Sequence, residues 1–375
     1  MTCLHICNDF LGSKVYSQLY EQLDQRSIVQ YVFNPLRQAN IKNIRESNFL
    51  TDGSKIYYSK VLHNYNRILF RSKVDFLFKN LKSTAPLNEI DIVHATTMYS
   101  DGAIALKVKK EYNVPYIVTV RSTDIAAFNT YRPDLFFLGL AILNNASKII
   151  FISHALRETF YNHFFFKLFK KRLLPKSKVI TNGLHQFWID NLTPKKNNIP
   201  SKILYVGTFL KRKNVVQLID SVLRLKNKKI NIELSIVGKG GEHETEVKRL
   251  SDKHPDTIKY VGAIDNRENL LKEYRSNHLF AMPSMTETFG LVYLEALSQG
   301  LPILYTENDG IDGTLDVNIG EAVNPKSLNS ITLGLEKILA DYSNFDLNQI
   351  NFSDFSWKSI GKTYEELYTA ILNNN

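Results

Sequence analysis

Eleven short runs rich in β-branched and aromatic residues recur along the 375-residue chain, separated by stretches with helical spacing. That alternation constrains the fold more than any other feature, because a strand followed by a helix returns most simply to a parallel neighbour. The first series is CLHICN (3–8), SIVQYVF (27–33), DIVHAT (91–96), PYIVTV (115–120), KIIFIS (148–153) and KVITNG (178–183). A polar stretch with two prolines, NLTPKKNNIPS, then interrupts the pattern. The second series is KILYVG (202–207), IELSIVG (232–238), IKYVG (258–262), LFAMP (279–283) and PILYT (302–306). Between these runs, NVVQLIDSVLRLKN (214–227) and RENLLKEYRSN (267–277) carry helical patterns. The expected architecture is α/β, with two Rossmann-like domains facing across a cleft. Residues 1–190 form the first domain, 191–201 a linker and 202–355 the second. Ligands in such sheets bind beyond the carboxyl ends of the strands. The closing segment puts Ile360, Tyr364, Leu367, Tyr368 and Ile371 on one helical face behind Trp357, so helix 356–375 is expected to complete the first domain.

Charge is unevenly divided. Of the net +10, residues 1–190 carry 25 Lys and Arg against 14 Asp and Glu, and the remainder carries 22 against 23. The two halves therefore face different partners. The opening MTCLHICNDF has no basic leader before its apolar run, and LFFLGLAIL (135–143) is too short to span a bilayer. Cys3 and Cys7, the only cysteines, read as core thiols of a reducing cytoplasm.

The stretch PSMTETFGLVYLEALSQGLPIL (283–304) reads as a strand end, a loop and a helix over 289–299 closed by Gly300, with Pro302 beyond. The first N–H groups of that helix, from Phe289 to Val292, lack intrahelical partners and suit an anion such as a diphosphate. Gly290 allows a ligand close to the backbone. Glu295 lies in an otherwise apolar helix, where a carboxylate costs least if it accepts hydrogen bonds from something bound. Glu287 stands eight residues earlier, about 12 Å away if the whole span were helical. Two carboxylates could thus bracket a diphosphate and hold hydroxyls on either side.

This stretch resembles the E-x7-E signature of the family 4 glycosyltransferases, retaining enzymes of the GT-B fold, and the likeness extends over nearly the whole chain. The resemblance implies that Glu287 contacts the transferred sugar, that Glu295 holds the nucleotide ribose, and that the backbone of Thr288, Phe289, Gly290, Leu291 and Val292 meets sugar hydroxyls and phosphate. LYVGTFLKRKNVVQLIDSV resembles the family segment with an Arg directly after a Gly and a Lys six residues past it, which clamp the diphosphate. Here Lys213 follows Gly207 at that spacing. Thr208 occupies the Arg position, a departure that leaves Arg212 or Lys211 to supply a second cation. SIVGKGGEHE offers Gly238 and Gly240 at a strand-to-helix turn, and YVGAIDNRENLLKEY resembles the segment that meets the base near Ile264.

In the first half, DIVHATTMYSDGAIALKVKKEYNVPYIVTVRSTDI resembles the family's acceptor-side pattern. His94, Arg121 and Asp124 are its acceptor-side residues, and Gly12 is what remains of a glycine-rich first loop. The resemblance implies a catalytic set of Glu287, Lys213, His94, Arg121 and Asp124. The co-substrate is a UDP- or GDP-sugar and the acceptor a saccharide, lipid-linked in the fullest form of this reading. With no Asp-x-Asp pair and no His/Cys cluster at ligand spacing, neither a metal nor another cofactor is expected.

The basic excess rides on two aromatic segments, 57–83 and 156–178. Phe, Leu and Tyr mixed with Lys and Arg at helical spacing suit an amphipathic helix on the anionic inner face of a membrane. Two other readings accompany this one. A nucleotide-sugar 2-epimerase on a similar fold would turn over donor alone. A basic module without catalysis would bind nucleic acid or membrane, yet the chain has no recognisable nucleic-acid motif, so no nucleic-acid partner is expected.

Overall fold

The computed structural model describes residues 1–44, 48–62, 69–129, 131–197 and 199–374. The chain forms two compact units. The first comprises Met1–Ile152, Leu156–Gly183 and Trp357–Asn375, and the second Ser153–Ala155 and Leu184–Ser356.

The first unit holds a seven-stranded sheet: β1 (Thr2–Ile6), β2 (Val29–Asn34), β3 (Lys55–Tyr58), β4 (Ile92–Ala95), β5 (Tyr116–Val120), β6 (Lys148–Phe151) and β7 (Ser177–Val179). Their spatial order is β3-β2-β1-β4-β5-β6-β7 and every pairing is parallel. The second unit holds β8 (Lys202–Val206), β9 (Glu233–Val237), β10 (Ile258–Gly262), β11 (Leu279–Ala281), β12 (Ile303–Thr306) and β13 (Gly320–Val323). These lie in the order β10-β9-β8-β11-β12-β13, again all parallel. In both sheets the order reverses beside the first strand, so the carboxyl ends of β1 and β4, and of β8 and β11, are the two switch points. Both units are Rossmann-like.

The sequence reading anticipated eleven of these thirteen strands. It missed β3 and β13, which are both edges of their sheets. It also put Tyr57 and Tyr58 in an amphipathic helix, whereas they end β3. A strand with one neighbour needs only one ladder, so its sequence carries less of the apolar signature.

The C-terminal helix Trp357–Leu372 buries Ile360, Tyr364, Leu367, Tyr368 and Ile371 in one core with Cys3, Cys7, Tyr20 and Leu23. It crosses the helix Lys14–Asp24 closely: a Cβ on Gly361 would lie 2.7 Å from Gln22 Cβ. Arg26 ties the two helices by an ion pair to Glu365 at 2.9 Å.

The expected boundaries need correction. Before the C-terminal helix, the first unit runs to Gly183, seven residues before the expected limit, and the helix Gln186–Asp190 belongs to the second. Nor is 191–201 a free linker; residue 198 lies outside the described residues. The Thr193 N–H donates to Ser298 O, and the Lys195 ammonium donates to Tyr342 O at 2.6 Å. Lys196 Nζ donates to the carbonyls of Arg275 and Asn277. Here lysine tails cap exposed carbonyls, a use that composition alone does not distinguish from solvation.

Candidate active site

After β8 the chain runs through Gly207 to a single turn of 3-10 helix at Lys211–Lys213. The glycines of the next loop allow the two loops to touch. A Cβ on Gly238 would stand 1.9 Å from Gly207 O, and one on Gly241 2.4 Å from the Phe209 carbonyl carbon. The Phe209 N–H donates to Gly240 O at 2.7 Å, and the Gly240 N–H to Glu244 Oε2 at 2.8 Å. Gly240 itself, at φ +73°, faces open space. Ile264 is half-buried beyond β10, and Thr208 and Arg212 are exposed.

Asn214 joins this loop to the one after β11. It takes the left-handed conformation, φ +60°, which its short amide side chain tolerates. That amide donates to Pro283 O at 3.0 Å and to Pro325 O at 2.8 Å. The Met285 N–H in turn donates to Arg212 O at 2.7 Å. So braced, the Lys213 ammonium donates to Glu287 Oε2 and lies 3.9 Å from Met282 Sδ. The two side chains are only 14% and 12% exposed, so this is a largely buried ion pair rather than a surface one.

Glu287 is held by its backbone as well. Its N–H donates to Asp309 Oδ2 at 2.6 Å and its carbonyl accepts from the Gly310 N–H at 3.1 Å. Burial pushes the Asp309 carboxyl up to about 6, with the Glu287 charge adding to the rise and the N–H groups of Glu287 and Gly310 and the charge of Lys213 opposing it.

The following helix spans Leu291–Ser298, shorter at both ends than the expected 289–299. At the amino end the cause is Gly290, whose φ of +79° lies outside helical space. A Cβ there would meet the Tyr293 ring at 2.6 Å and Glu287 Cγ at 3.0 Å. The Tyr293 hydroxyl is anchored by donating to Met282 O at 2.6 Å. Among the described residues, the N–H groups of Phe289, Gly290, Leu291 and Val292 donate no hydrogen bond, whereas that of Thr288 donates to Glu287 Oε1 at 3.2 Å. Because Glu287 precedes the helix by four residues, a helical rise does not measure its separation from Glu295.

Glu295 is half-buried on the same helix. It accepts from the Tyr274 hydroxyl at 3.1 Å, and the Tyr274 and Trp188 rings meet edge to face at 5.3 Å. Burial pushes its carboxyl up to about 7, while the Tyr274 hydroxyl, Arg267 and the Trp188 indole favour the charged form.

In the first unit the residues expected on the acceptor side converge on the switch point, but two of them serve the fold. His94 is buried in β4, with Nδ1 2.8 Å from the Tyr368 hydroxyl and Nε2 3.1 Å from that of Thr119. Burial holds it neutral, well below the usual histidine range. With both ring nitrogens engaged, His94 is a core histidine. Asp124, also buried, accepts from the backbone N–H groups of Met98 at 3.1 Å, Tyr99 at 3.3 Å and Arg121 at 2.8 Å. It fastens two loops. Arg121 remains half-buried, its guanidinium 5.3 Å from the Tyr16 ring centre and its Nε 3.3 Å from Thr96 O. Beside it lies a water-sized cavity of about 10 Å³ whose lining includes His94, Thr96, Asn182, Trp357 and Tyr364. Gly12 belongs to the turn after β1, where its N–H donates to Asp9 O at 3.1 Å and a Cβ would strike the Asp9 carboxylate.

Sequence reasoning overlooked Asn214, Asp309, Tyr274 and Trp188. The NDG tripeptide around Asp309 is a turn signal that could have drawn notice. The others become visible only once the chain is folded.

Residues 15–183 match the family described as Glycosyltransferase Family 4, and residues 189–351 match Glycosyl transferases group 1. The phosphatidylinositol N-acetylglucosaminyltransferase gpi3 subunit of Schizosaccharomyces pombe is 21% identical over 343 residues, covering 87% of this chain and 71% of that protein. The sucrose-phosphate synthase of Thermosynechococcus elongatus superposes with a TM-score of 0.75 at 18% identity, covering all of both chains. HepE of Anabaena, solved in complex with UDP, superposes with a TM-score of 0.70 at 15% identity, covering 98% of this chain and 99% of that one. The architecture is GT-B.

Proposed function

The chain belongs to the group 1, family 4 glycosyltransferases, and on that premise we propose that it moves a sugar from a UDP- or GDP-sugar to a lipid-linked saccharide with retention at the anomeric carbon. The observation that carries the reading is the largely buried Lys213–Glu287 pair standing beside the idle N–H groups of Phe289 to Val292. In the reaction the bond from the anomeric carbon to the diphosphate oxygen breaks and its electrons stay with the diphosphate. The acceptor oxygen forms the new bond and gives up its proton to the released nucleotide or to solvent. Charge therefore grows on the diphosphate, where a fixed ammonium and oriented N–H dipoles stabilise it most. Lys213 supplies that cation, and transfer proceeds without a divalent metal.

Bound diphosphate draws Lys213 from Glu287, whose freed carboxylate accepts hydroxyls of the sugar. Glu295 accepts those of the ribose, and Ile264 and the Gly207 and Gly238 turns lie against the nucleotide. Arg121 serves the acceptor. The name of the Schizosaccharomyces relative, with its phosphatidylinositol acceptor, supports a lipid-borne one here. Place of action is the inner face of the membrane; among the described residues no helix is long and apolar enough to cross it.

The test is a thermal-shift comparison of UDP and GDP, followed by transfer from the matching sugars with and without EDTA, the product read by NMR. An α-linked product from an α-linked donor, formed equally in EDTA, is expected. Failure of both nucleotides to stabilise the protein overturns the donor site, and donor consumed without acceptor shows an epimerase instead.

A further inference from the structure

The helix Phe70–Thr84 turns Phe70, Val74, Leu77, Phe78 and Leu81 into the core of the first unit. Its aromatics are therefore not the membrane-facing set that segment 57–83 suggested, and residues 63–68 of that segment lie outside the described residues. Elsewhere on the same unit, Phe137, Phe164 and Leu168 are 78%, 83% and 87% exposed. Ring contacts link Phe137 to Phe164, and Leu168 closes the short helix that Phe164 opens. Phe137 packs on Phe136 at 5.3 Å, Phe136 on Phe165 at 5.2 Å, and Phe165 on Phe164 at 5.6 Å. Next to Phe137 in the chain, Leu138 leads the patch into a groove of about 280 Å³. Its floor is Val74, Ala103, Leu106 and Leu138, and its rim Arg71, Lys107 and Lys110.

The charge around these apolar groups is mainly positive, and the exposed Asp134 near Phe137 is paired with Arg132 at 2.8 Å. Residues 156–178 are rich in Lys and Arg against the single Glu158, which already pairs with Lys170 and Arg157. On the groove rim the one carboxylate, Asp75, pairs with Lys107 at 2.8 Å. Exposed Phe and Leu within a cationic field match the interface of an anionic bilayer, where acyl chains receive the apolar tips and phosphates the cations. Extending the lipid-acceptor reading above, we propose that the face made by Phe137, Phe164, Leu168 and the Arg71–Lys110 groove docks on an anionic phospholipid bilayer, one phospholipid lying along the groove. The patch thus includes Phe137, outside both segments singled out from sequence.

The test is co-sedimentation with phosphatidylcholine vesicles, with and without phosphatidylserine, using the full chain. Wild type is expected to sediment only with phosphatidylserine, and less at high salt. Phe164→Ser/Leu168→Ser should lower partitioning at least tenfold. Lys171→Glu/Arg172→Glu and Arg71→Glu/Lys110→Glu should each lower it about fivefold per charge. Sugar transfer to a water-soluble acceptor should be unchanged in all three. No binding by wild type, or variants that sediment like wild type, overturns the docking face. Intact binding without any sugar transfer would overturn the catalytic reading and leave the docking face standing.

Discussion

The Lys213 ammonium donates to the Glu287 carboxylate across 74 residues of sequence, each side chain delivered by the loop at the carboxyl end of a neighbouring strand. The pair stores a cation in a place where an isolated charge would be costly to bury. On the proposed reading it also sets the terms of binding, because a diphosphate would have to compete with Glu287 for Lys213.

Replacing either member separates charge from geometry. Lys213→Ala is expected to lower kcat by about 10²–10³-fold, the usual loss of one preorganised transition-state donor. Glu287→Ala should also depress kcat. It should further cost about 3–5 kcal/mol of stability by leaving Lys213 buried and unpaired. The double variant should then be less destabilised than the sum of the two. Kinetics paired with chemical denaturation measure all of this, and wild-type kcat in both single variants would remove the pair from the site.

Glu295 predicts a pH signature. Its carboxyl sits above the ordinary glutamate value, at about 7, so the neutral acid is the form that the empty fold favours. The stability it contributes is complete below about 4.5 and fades as the pH rises through about 7. Nucleotide binding should run the other way, tightening as the ionised carboxylate becomes available to ribose hydroxyls. Calorimetry on either side of neutrality checks this. Glu295→Gln should flatten the dependence and weaken nucleotide affinity with little change in kcat, and an unaltered pH profile in that variant would exclude the role.

Gly290→Ala probes the turn before the helix. The new Cβ meets the Tyr293 ring at 2.6 Å, and φ of +79° is unfavourable for any L side chain. A loss of about 1–3 kcal/mol is expected. Affinity for the nucleotide should fall with it, because the N–H groups around position 290 must shift. A melting temperature equal to wild type would show that this backbone relaxes freely.

Asp124→Ala should act through the fold alone. Three buried backbone N–H groups lose their acceptor, costing about 3 kcal/mol or more. Activity per folded molecule should survive in Asp124→Asn, which keeps one accepting oxygen. A selective collapse of kcat in the Asn variant, with an unchanged melting temperature, would restore Asp124 to the reaction.

Much of the second unit was legible in the chain. Glu287, Gly290 and Glu295 lie on one contiguous segment whose loop-to-helix grammar is local and drew notice to them, whereas Lys213 entered only through the family resemblance. The acceptor side was less legible. His94 and Asp124 carry reactive side chains at strand ends, as a catalytic pair would. Yet Tyr368, 274 residues away, takes one nitrogen of His94, and the Met98 and Tyr99 amides take Asp124. The basic segment 57–83 misled in a similar way: helical spacing of Phe and Leu in Phe70–Thr84 marks a face without telling whether core or solvent lies beyond it.

By itself, the order of residues determined what depends on near neighbours: the alternation that makes two parallel sheets, the glycine that delays a helix, and the C-terminal stripe that must be buried. Only the tertiary structure decided which polar groups are spent on holding the fold and which stay available, since that depends on partners brought together from distant parts of the chain. Lys196 on its carbonyls, His94 between two hydroxyls and Lys213 against Glu287 are alike in composition as polar residues near strand ends. They differ only in what folding placed within hydrogen-bonding reach.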